Sequence, residues 1–437
     1  MNQKYFPFDR AALEKLAEEY PTPFYIYDEK AIIENVRRIK AAFSIFPDYK
    51  NHFAVKALPN PYILKILAAE GFGADCASFP ELFLAELAGM KGEEIMFSSN
   101  ETPAKEYEEA RKLGAVINLD DFSHIEFLEK TVGLPELVSM RYNPGPLKEG
   151  NAIIGKPEEA KYGFTREQII RGFSLLKGKG VKRFSLHAMV ASSELSIPYH
   201  VETARMLFEL AVEINEKTGV CLESVNLGGG VGIPYKPEQT AVDYETLAAG
   251  IQMAYNEIIL SAGLDPLGIH TEWGRVVTGP YGWLVARAIH KKEIYRKYIG
   301  LDACMADMMR PGLYNAYHHI TIPGKEDAPL TESYDIVGSL CENNDKFAIQ
   351  RKLPKIETTA ESAAAGGSYG GDFVVIHDAG AHGRAMGFNY NGKLRCGELL
   401  LRKDGSVTQI RRPETVNDYF ATLNLSEVEY FKTGEVK

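Results

Sequence analysis

Lys56 lies in the segment HFAVKALPNP, directly after a short apolar run that is typical of a β-strand. A lysine that is desolvated in a pocket has a lowered pKa and can form a Schiff base with a carbonyl compound. An isolated lysine that follows a strand is more commonly a surface residue. The catalytic interpretation of Lys56 therefore depends on which other groups lie near it.

Three consecutive glycines, Gly228, Gly229 and Gly230, follow another strand-like run within LGGGVG. Consecutive glycines expose backbone N–H groups that can bind a phosphate without obstruction by a Cβ atom. A glycine triplet is equally typical of a flexible loop. Taken alone, the triplet leaves both interpretations open.

Other strand-like runs end in acidic or basic residues, namely Asp75, His187 and the run Glu272-Trp273-Gly274-Arg275. Each has an ordinary structural explanation: a helix N-cap, a buried hydrogen-bonded histidine and a surface ion pair. Together with Lys56 and the glycines they supply an amine, a phosphate site, a carboxylate and a stacking ring. Pyridoxal phosphate requires this combination. Neither GxxxxGK[ST] nor a helix-opening GxGxxG occurs, which disfavours a nucleotide.

Eight predicted strands alternate with helix-period segments and would position these groups. A (β/α)8 barrel of about 250 residues fits that count, and its catalytic residues lie at the carboxyl ends of the strands. A doubly wound open sheet is the alternative, because counting strands does not show closure. The predicted strands are 52–56, 74–78, 95–99, 116–119, 138–142, 184–188, 224–227 and 269–272.

Beyond Gly282 the pattern changes to short strands with few helices, which predicts an all-β barrel or sandwich. We expect an N-terminal segment of residues 1–30 that belongs to this β domain, the barrel at 31–282 and the β domain at 283–437. Residues 359–371 are rich in alanine and glycine and predict a surface loop. The predicted strands are 298–301, 318–322, 334–337, 346–350 and 373–377, followed by a hairpin at 398–409.

Composition excludes several classes of protein. The 437 residues are 45% hydrophobic and 25% charged, which is typical of a globular protein with a large core. The formal charge of −10 disfavours nucleic acid and anionic membrane as partners, since both bind concentrated basic surfaces. No apolar run is long enough to span a membrane, and no secretory signal is evident. The five cysteines are scattered, which predicts reduced thiols, a cytoplasmic location and no metal site.

Further motifs complete an ordered set: Arg310-Pro311-Gly312-Leu313-Tyr314, Cys341-Glu342, Asp378-Ala379-Gly380-Ala381 and Asn389-Tyr390-Asn391. With AVKA at Lys56, the glycine triplet and EWGR at 272–275, this set resembles the barrel-type (fold type III) pyridoxal-phosphate decarboxylases. The resemblance runs from about residue 22 to residue 420. It is strongest to the diaminopimelate decarboxylases in that family.

The resemblance implies roles for the matching positions. Lys56 would hold the cofactor, Cys341 would protonate the substrate carbon, and these two would be the catalytic residues. Cys341 and Glu342 would come from a second subunit, so the enzyme would be a homodimer with a shared site. The substrate would contact Arg275, Arg310, Tyr314 and Glu342. The cofactor would contact Lys56, Asp75, His187, Gly228, Gly229, Gly230, Glu272, Trp273, Gly274, Arg275 and His382.

The implied reaction is decarboxylation of an amino acid, with meso-diaminopimelate giving L-lysine in lysine biosynthesis. Its distal carboxylate and ammonium groups complement Arg310 and Glu342. Alternatives are decarboxylation of ornithine, lysine or a carboxylated polyamine such as carboxynorspermidine. A cofactor-free barrel aldolase that uses Lys56 and a non-catalytic homologue are further alternatives.

Three departures from the family pattern affect the pocket. The usual His-Ile-Gly-Ser reads His187-Ala188-Met189-Val190, which removes a small residue and a phosphate-binding hydroxyl. The usual Gly-Ala-Tyr reads Gly380-Ala381-His382, and the residues after Glu342 are Asn343-Asn344-Asp345. None of these changes removes a group that decarboxylation needs, but all of them bear on the choice of substrate.

Overall fold

The computed structural model describes residues 4–46, 48–148, 155–364 and 370–425. Its strands are β1 (Phe24–Asp28), β2 (Tyr49–Ala54), β3 (Gly73–Cys76), β4 (Ile95–Phe97), β5 (Val116–Leu119), β6 (Leu137–Tyr142), β7 (Arg183–Ala188), β8 (Ser224–Asn226), β9 (Gly268–Thr271), β10 (Gly282–Glu293), β11 (Lys297–Leu301), β12 (Ile320–Thr321), β13 (Glu332–Val337), β14 (Lys346–Leu353), β15 (Phe373–Ile376), β16 (Gly397–Leu401) and β17 (Val407–Arg411). Its α-helices are α1 (Arg10–Glu19), α2 (Glu29–Phe43), α3 (Pro61–Ala69), α4 (Phe79–Leu87), α5 (Ala104–Leu113), α6 (Ser123–Val132), α7 (Arg166–Gly178), α8 (Ile197–Thr218), α9 (Tyr244–Tyr255), α10 (Arg275–Thr278), α11 (Arg310–Tyr314), α12 (Thr359–Ala364) and α13 (Val416–Phe420).

Strands β2 to β9 form a closed parallel barrel in sequence order. The first and last strands pair directly, with Tyr49 opposite Ile269 and Asn51 opposite Thr271. This pairing confirms the predicted (β/α)8 barrel and excludes the open sheet. Parallel strands covered by helices are buried on both faces, and β3, β4 and β5 are buried along their whole length.

The helices between the barrel strands show why the sequence folds locally in this way. Helix α8 begins where the Ser196 side chain accepts a hydrogen bond from the Tyr199 N–H, and it ends at Gly219 with φ of 63°. Its buried residues Leu207, Leu210 and Ile214 recur at helical spacing. One apolar face of the helix therefore packs on the barrel.

The second sheet is mixed and contains nine strands, β1 and β10 to β17. Strand β1 lies between β10, to which it is antiparallel, and β16, to which it is parallel. The chain thus contributes a strand to this sheet before it enters the barrel. The predicted all-β character is confirmed.

Some elements differ from the predictions. Strand β10 is twelve residues long and central in the sheet, but no strand was predicted over 282–293. Its first five residues are all buried, so it lacks the alternating pattern that marks a half-exposed strand. The predicted loop at 359–371 begins with helix α12, and residues 365–369 lie outside the described residues. None of the helices in the described ranges is long and apolar enough to cross a membrane.

Candidate active site

A cavity of about 650 Å³ opens at the carboxyl ends of the barrel strands and is also lined by residues of the β domain. It collects most of the residues predicted from the sequence: Lys56, Asp75, His187, Gly229, Gly230, Glu272, Gly274, Arg275, Arg310, Tyr314 and His382. The strand ends meet at one face of the barrel, which is why residues more than 200 positions apart share this cavity.

Lys56 lies in a short 3-10 turn, Val55–Ala57, that directly follows β2. Its side chain is exposed at the cavity, whereas we predicted a desolvated lysine. The size of the cavity explains the difference, since a wide opening leaves the amine accessible. Within the part of the chain that the structure describes, this amine makes no hydrogen bond or ion pair, so it is available to a ligand.

His187 and Glu272 form a buried pair in the wall of the cavity. Nε2 of His187 lies 3.0 Å from Oε2 of Glu272, and Nδ1 accepts from the Asn118 side-chain amide at 2.9 Å. The other carboxylate oxygen accepts from the Asn226 amide at 2.9 Å. Burial by itself would raise the pKa of Glu272, but His187, with Arg141 and Lys56 further away, lowers it to about 2. Glu272 is therefore an ionised carboxylate.

Asp75 is the second-last residue of the neighbouring strand β3 and also lines the cavity. Burial and repulsion from Glu272 raise the pKa of Asp75 well above its usual value, and the Lys56 charge opposes this shift. Its buried Oδ1 has no hydrogen-bond partner among the described residues. A buried acceptor without a partner is costly unless a ligand satisfies it.

The glycine loop packs tightly against the segment that follows β7. Gly228 has φ of 69°, and a Cβ atom there would lie 2.1 Å from the Ala188 carbonyl oxygen. Gly230 has φ of 102°, and its Cβ would lie 2.6 Å from the Ala191 oxygen. Both positions therefore require glycine, because the backbone conformation and the close contact each exclude a side chain.

This packing brings two hydroxyl groups to the cavity that the sequence analysis missed. The Glu194 N–H donates to the Gly230 oxygen at 2.9 Å, and Ser192 and Ser193 line the cavity beside the glycine loop. Met189, at a position where the family pattern has a small residue, accepts a hydrogen bond from the Gly229 N–H through its sulfur at 3.3 Å. The presence of serine two positions after Val190 was the available sequence signal.

The opposite end of the cavity contains two buried arginines that share one tyrosine. Arg275 Nη1 donates to the Tyr235 hydroxyl at 2.6 Å, and the Arg310 guanidinium lies 5.4 Å from the centre of the Tyr235 ring. Arg310 Nε also donates to His318 Nε2 at 3.4 Å. Burial and the Arg310 charge lower the pKa of His318 to about 3, so it is a neutral acceptor. In the described ranges, no carboxylate pairs with either arginine.

His382 enters the cavity from the β domain and lines it together with Lys56, Arg275 and Arg310. Its backbone has a left-handed φ of 54°, and its N–H donates to the Ala57 oxygen at 2.8 Å. Burial and the three nearby cations lower the pKa of the His382 imidazole well below its usual value. The ring therefore adds a neutral polar group to this wall.

Four predicted residues lie outside the cavity. Gly228 supports the glycine loop from behind, where its N–H donates to the Asn226 side chain. The Trp273 ring packs against Phe43 at a centroid distance of 5.2 Å, so the side chain does not reach the predicted cofactor position. Cys341 is exposed and Glu342 half-buried on the β domain, and neither lines the cavity.

Comparison with known proteins identifies the family. A family model described as pyridoxal-dependent decarboxylase, pyridoxal binding domain, matches residues 29–279, which is more than half of the chain. The chain belongs to the pyridoxal-dependent decarboxylases. It is accordingly a pyridoxal-phosphate-dependent amino-acid decarboxylase, and the predicted family, reaction class and cofactor are confirmed.

Relatives of this decarboxylase match along nearly the whole chain. Protein TabA from Pseudomonas amygdali pv. tabaci is 39% identical over 96% of this chain and 95% of its own length. Diaminopimelate decarboxylase from Methanothermobacter thermautotrophicus is 32% identical over 94% of each chain. The crystal structure of diaminopimelate decarboxylase from M. jannaschii superposes with a TM-score of 0.84 at 29% identity, covering 93% of each chain. The Helicobacter pylori enzyme complexed with L-lysine gives 0.81 at 28% identity, covering 94% of this chain and 98% of that one.

The cavity fits pyridoxal phosphate on its own geometry. Asp75 and Arg141 both line it. Their buried atoms Oδ1 and Nε have no hydrogen-bond partner among the described residues. An ionised carboxylate, Glu272, lies at the same end as the free amine of Lys56. Gly229 and Gly230 of the glycine loop line the same cavity. These are the groups that an aldehyde, a pyridine nitrogen and a phosphate require.

Proposed function

We propose that this decarboxylase converts meso-diaminopimelate to L-lysine. The observation that supports this substrate is the pair of buried arginines, Arg275 and Arg310, which lack a carboxylate partner in the described residues. A buried guanidinium without a counter-ion is unfavourable, so the ligand is expected to bring a carboxylate of its own. Diaminopimelate carries one at its distal end, whereas lysine and ornithine do not. The names of several relatives agree with this choice.

We assign roles to the residues that would bind the cofactor. When bound, pyridoxal phosphate supplies an electron-withdrawing ring that stabilises the charge left on the substrate carbon as carbon dioxide departs. Lys56 would hold the cofactor through its amine, and Glu272 would keep a proton on the ring nitrogen. His187 would fix the Glu272 carboxylate through the 3.0 Å hydrogen bond. Gly229 and Gly230 would contact the phosphate.

Further cavity residues would complete the cofactor and substrate contacts. The hydroxyls of Ser192 and Ser193 lie where they could replace the hydroxyl that Val190 lacks. Gly274 and His382 would also face the cofactor. Tyr314 would border the substrate beside Arg310. These assignments follow from the position of each side chain on the cavity wall.

We further propose a homodimer with a shared active site. Cys341 and Glu342 carry the expected proton donor and the expected partner of the distal ammonium group, yet both lie outside the cavity of their own chain. A thiol must reach the substrate carbon to protonate it. Cys341 is exposed, which supports the proposal that it would reach the cavity of a second subunit. Five free cysteines also favour the reducing cytosol as the place of action.

Side-by-side turnover of meso-diaminopimelate, L-lysine and L-ornithine tests the proposed substrate. We expect kcat/KM for meso-diaminopimelate to exceed the other two by at least about 100-fold, since an unpaired buried charge discriminates strongly. Equal or greater turnover of lysine or ornithine would favour the alternative basic amino-acid substrate. Carboxynorspermidine belongs in the same comparison, because it also carries a carboxylate.

A further inference from the structure

We propose that Lys4, outside the cavity, is a positioning residue that joins two walls of the active site across the boundary between the barrel and the β domain. One wall is the segment that carries Tyr235, after the glycine loop. The other is the segment 378–382, which carries His382. The inference rests on the proposed function only for the substrate used to test it.

The contacts of Lys4 connect the two walls directly. Its Nζ donates to the Pro234 backbone oxygen at 2.6 Å and to Asp378 Oδ1 at 3.0 Å, and it lies 2.9 Å from Asp378 Oδ2. The Asp378 side chain is only 2% exposed, and the Lys4 side chain is 22% exposed. A buried carboxylate is costly without a cation, so this pair holds the two segments together.

The first wall leads from Lys4 to the substrate end of the cavity. Pro234 precedes Tyr235, whose hydroxyl accepts from Arg275 and whose ring lies against the Arg310 guanidinium. A displacement of the Pro234 carbonyl would move the tyrosine that orients both arginines. The position of the two guanidinium groups therefore depends on where Lys4 holds this segment.

The second wall leads from Lys4 to the cofactor end of the cavity. Asp378 has a left-handed φ of 58° and begins the segment that ends at His382. The His382 N–H donates to the Ala57 oxygen, one residue beyond Lys56. The N–H groups of Ala379 and Gly380 donate to oxygens of residues 282 and 279, so the segment is held at several points.

Neighbours of Lys4 explain how a residue so near the N-terminus is held in place. The Trp283 indole N–H donates to the Tyr5 backbone oxygen at 3.2 Å. The rings of Tyr5 and Phe6 pack edge-on against Trp283, at centroid distances of 6.2 and 5.4 Å. These contacts fix the backbone that directly follows the lysine. The Lys4 ammonium group therefore lies at the domain boundary with little conformational freedom.

The chain contains a matched control for this arrangement. Lys325 Nζ lies 2.7 Å from Asp372 Oδ2 and donates to the Lys355 backbone oxygen at 2.8 Å. Its side-chain exposure of 22% equals that of Lys4, and Asp372 is as buried as Asp378. Neither Lys325 nor Asp372 adjoins a residue that lines the cavity. Asp372 also pairs with Arg10 at 2.8 Å, a second cation that Asp378 lacks among the described residues. The two lysines therefore differ in what they hold and in this second cation.

The test compares Lys4→Met, Lys4→Arg and Lys325→Met in the holoenzyme with meso-diaminopimelate as substrate. We expect Lys4→Met to raise KM by about 3- to 30-fold, with kcat changed by less than about twofold. Lys4→Arg should restore most of the lost affinity, because it keeps the cation. Lys325→Met should leave KM unchanged, and it should lower the melting temperature less than Lys4→Met because Arg10 still pairs with Asp372. An unchanged KM in Lys4→Met, or an equal rise in Lys325→Met, would overturn the inference.

Amide hydrogen exchange separates this inference from the proposed substrate. In Lys4→Met, the peptide that covers residues 378–384 should exchange faster than in wild type, whereas Lys325→Met should leave that peptide unchanged. If wild-type enzyme does not turn over meso-diaminopimelate, the proposed function fails and exchange still decides the role of Lys4. Equal exchange of the peptide in Lys4→Met and wild type would show that Lys4 does not hold this wall.

Discussion

The His187 imidazole donates its Nε2 hydrogen to Glu272 over 3.0 Å, and both side chains are more than nine-tenths buried. The Asn118 side-chain amide lies 2.9 Å from Nδ1, so both ring nitrogens have a hydrogen-bond partner and the orientation of the ring is fixed. A strand-end histidine whose role was ambiguous in the sequence therefore orients a carboxylate that lines the cavity. The relationship gives Glu272 a fixed direction toward the cavity.

Removal of the Glu272 charge should impair turnover more than cofactor binding. Glu272→Gln keeps the size of the side chain but cannot hold a proton on the ring nitrogen, so we expect kcat to fall by about 10²- to 10⁴-fold. The visible absorbance of bound cofactor should persist. Steady-state kinetics and an absorbance spectrum of the same sample measure both. A variant that keeps more than about a tenth of wild-type kcat would contradict the assigned role.

Borohydride reduction of the holoenzyme should attach the cofactor to the peptide that contains Lys56. Lys56→Ala should lose nearly all turnover, because no other amine occupies its place at the end of β2. Lys236 lines the same cavity and supplies the control. Peptide mass spectrometry should find label at Lys56 only, and Lys236→Ala should stay active. Label on Lys236 would reverse the two assignments.

Mixing two inactive variants tests the shared site. Lys56→Ala subunits and Cys341→Ala subunits should each be nearly inactive alone. After dissociation and random reassociation, half of the dimers would be mixed and one of their two sites would be intact, so about a quarter of wild-type activity should return. Activity measured against mixing ratio gives the result. Mixtures as inactive as the parents would place the whole site within one chain.

Arg310→Ala should lower kcat/KM more for a substrate with a distal carboxylate than for one without it. Loss of a buried charge-assisted pair typically costs about 2–5 kcal/mol, which corresponds to a tens- to thousands-fold lower kcat/KM for diaminopimelate. Arg310→Lys keeps a charge but not the bidentate geometry. Its kcat/KM for diaminopimelate should therefore lie between those of wild type and Arg310→Ala. The ratio of kcat/KM for diaminopimelate and lysine is the measurement. An equal loss for both substrates would mean that Arg310 has a structural role.

Acid should destabilise the folded protein through its buried histidines. Burial lowers the pKa values of His52, His318 and His377 to about 3, against about 6.5 when unfolded. Between these values the unfolded chain binds more protons, so stability falls as pH falls, by up to about 1.4 kcal/mol per pH unit for each histidine. Calorimetric melting at pH 7 and pH 5 should show this loss. His52→Gln should reduce the difference between the two pH values, and an unchanged difference would contradict the assignment.

Much of the fold and many of the cavity residues were predictable from local sequence. The eight barrel strands were predicted from short apolar runs that each end in a polar residue. This pattern is informative because parallel strands are buried along their length and their last residues lie at the carboxyl-end face of the barrel. Lys56, Gly230 and Glu272 were found in this way. Strand β10 was missed, since its first five residues are all buried and carry no alternation.

Other features required the tertiary structure, because they depend on contacts between residues far apart in the sequence. No local pattern shows that Tyr235 lies between Arg275 and Arg310, or that the Asn118 amide contacts Nδ1 of His187. The exclusion of Cys341 from its own cavity is likewise a matter of how the two domains pack. The sequence by itself determined which chemical groups the active site contains. The closed barrel and its junction with the β domain decided which of these groups touch, since hydrogen bonds and desolvation act over a few ångströms of space and not along the chain.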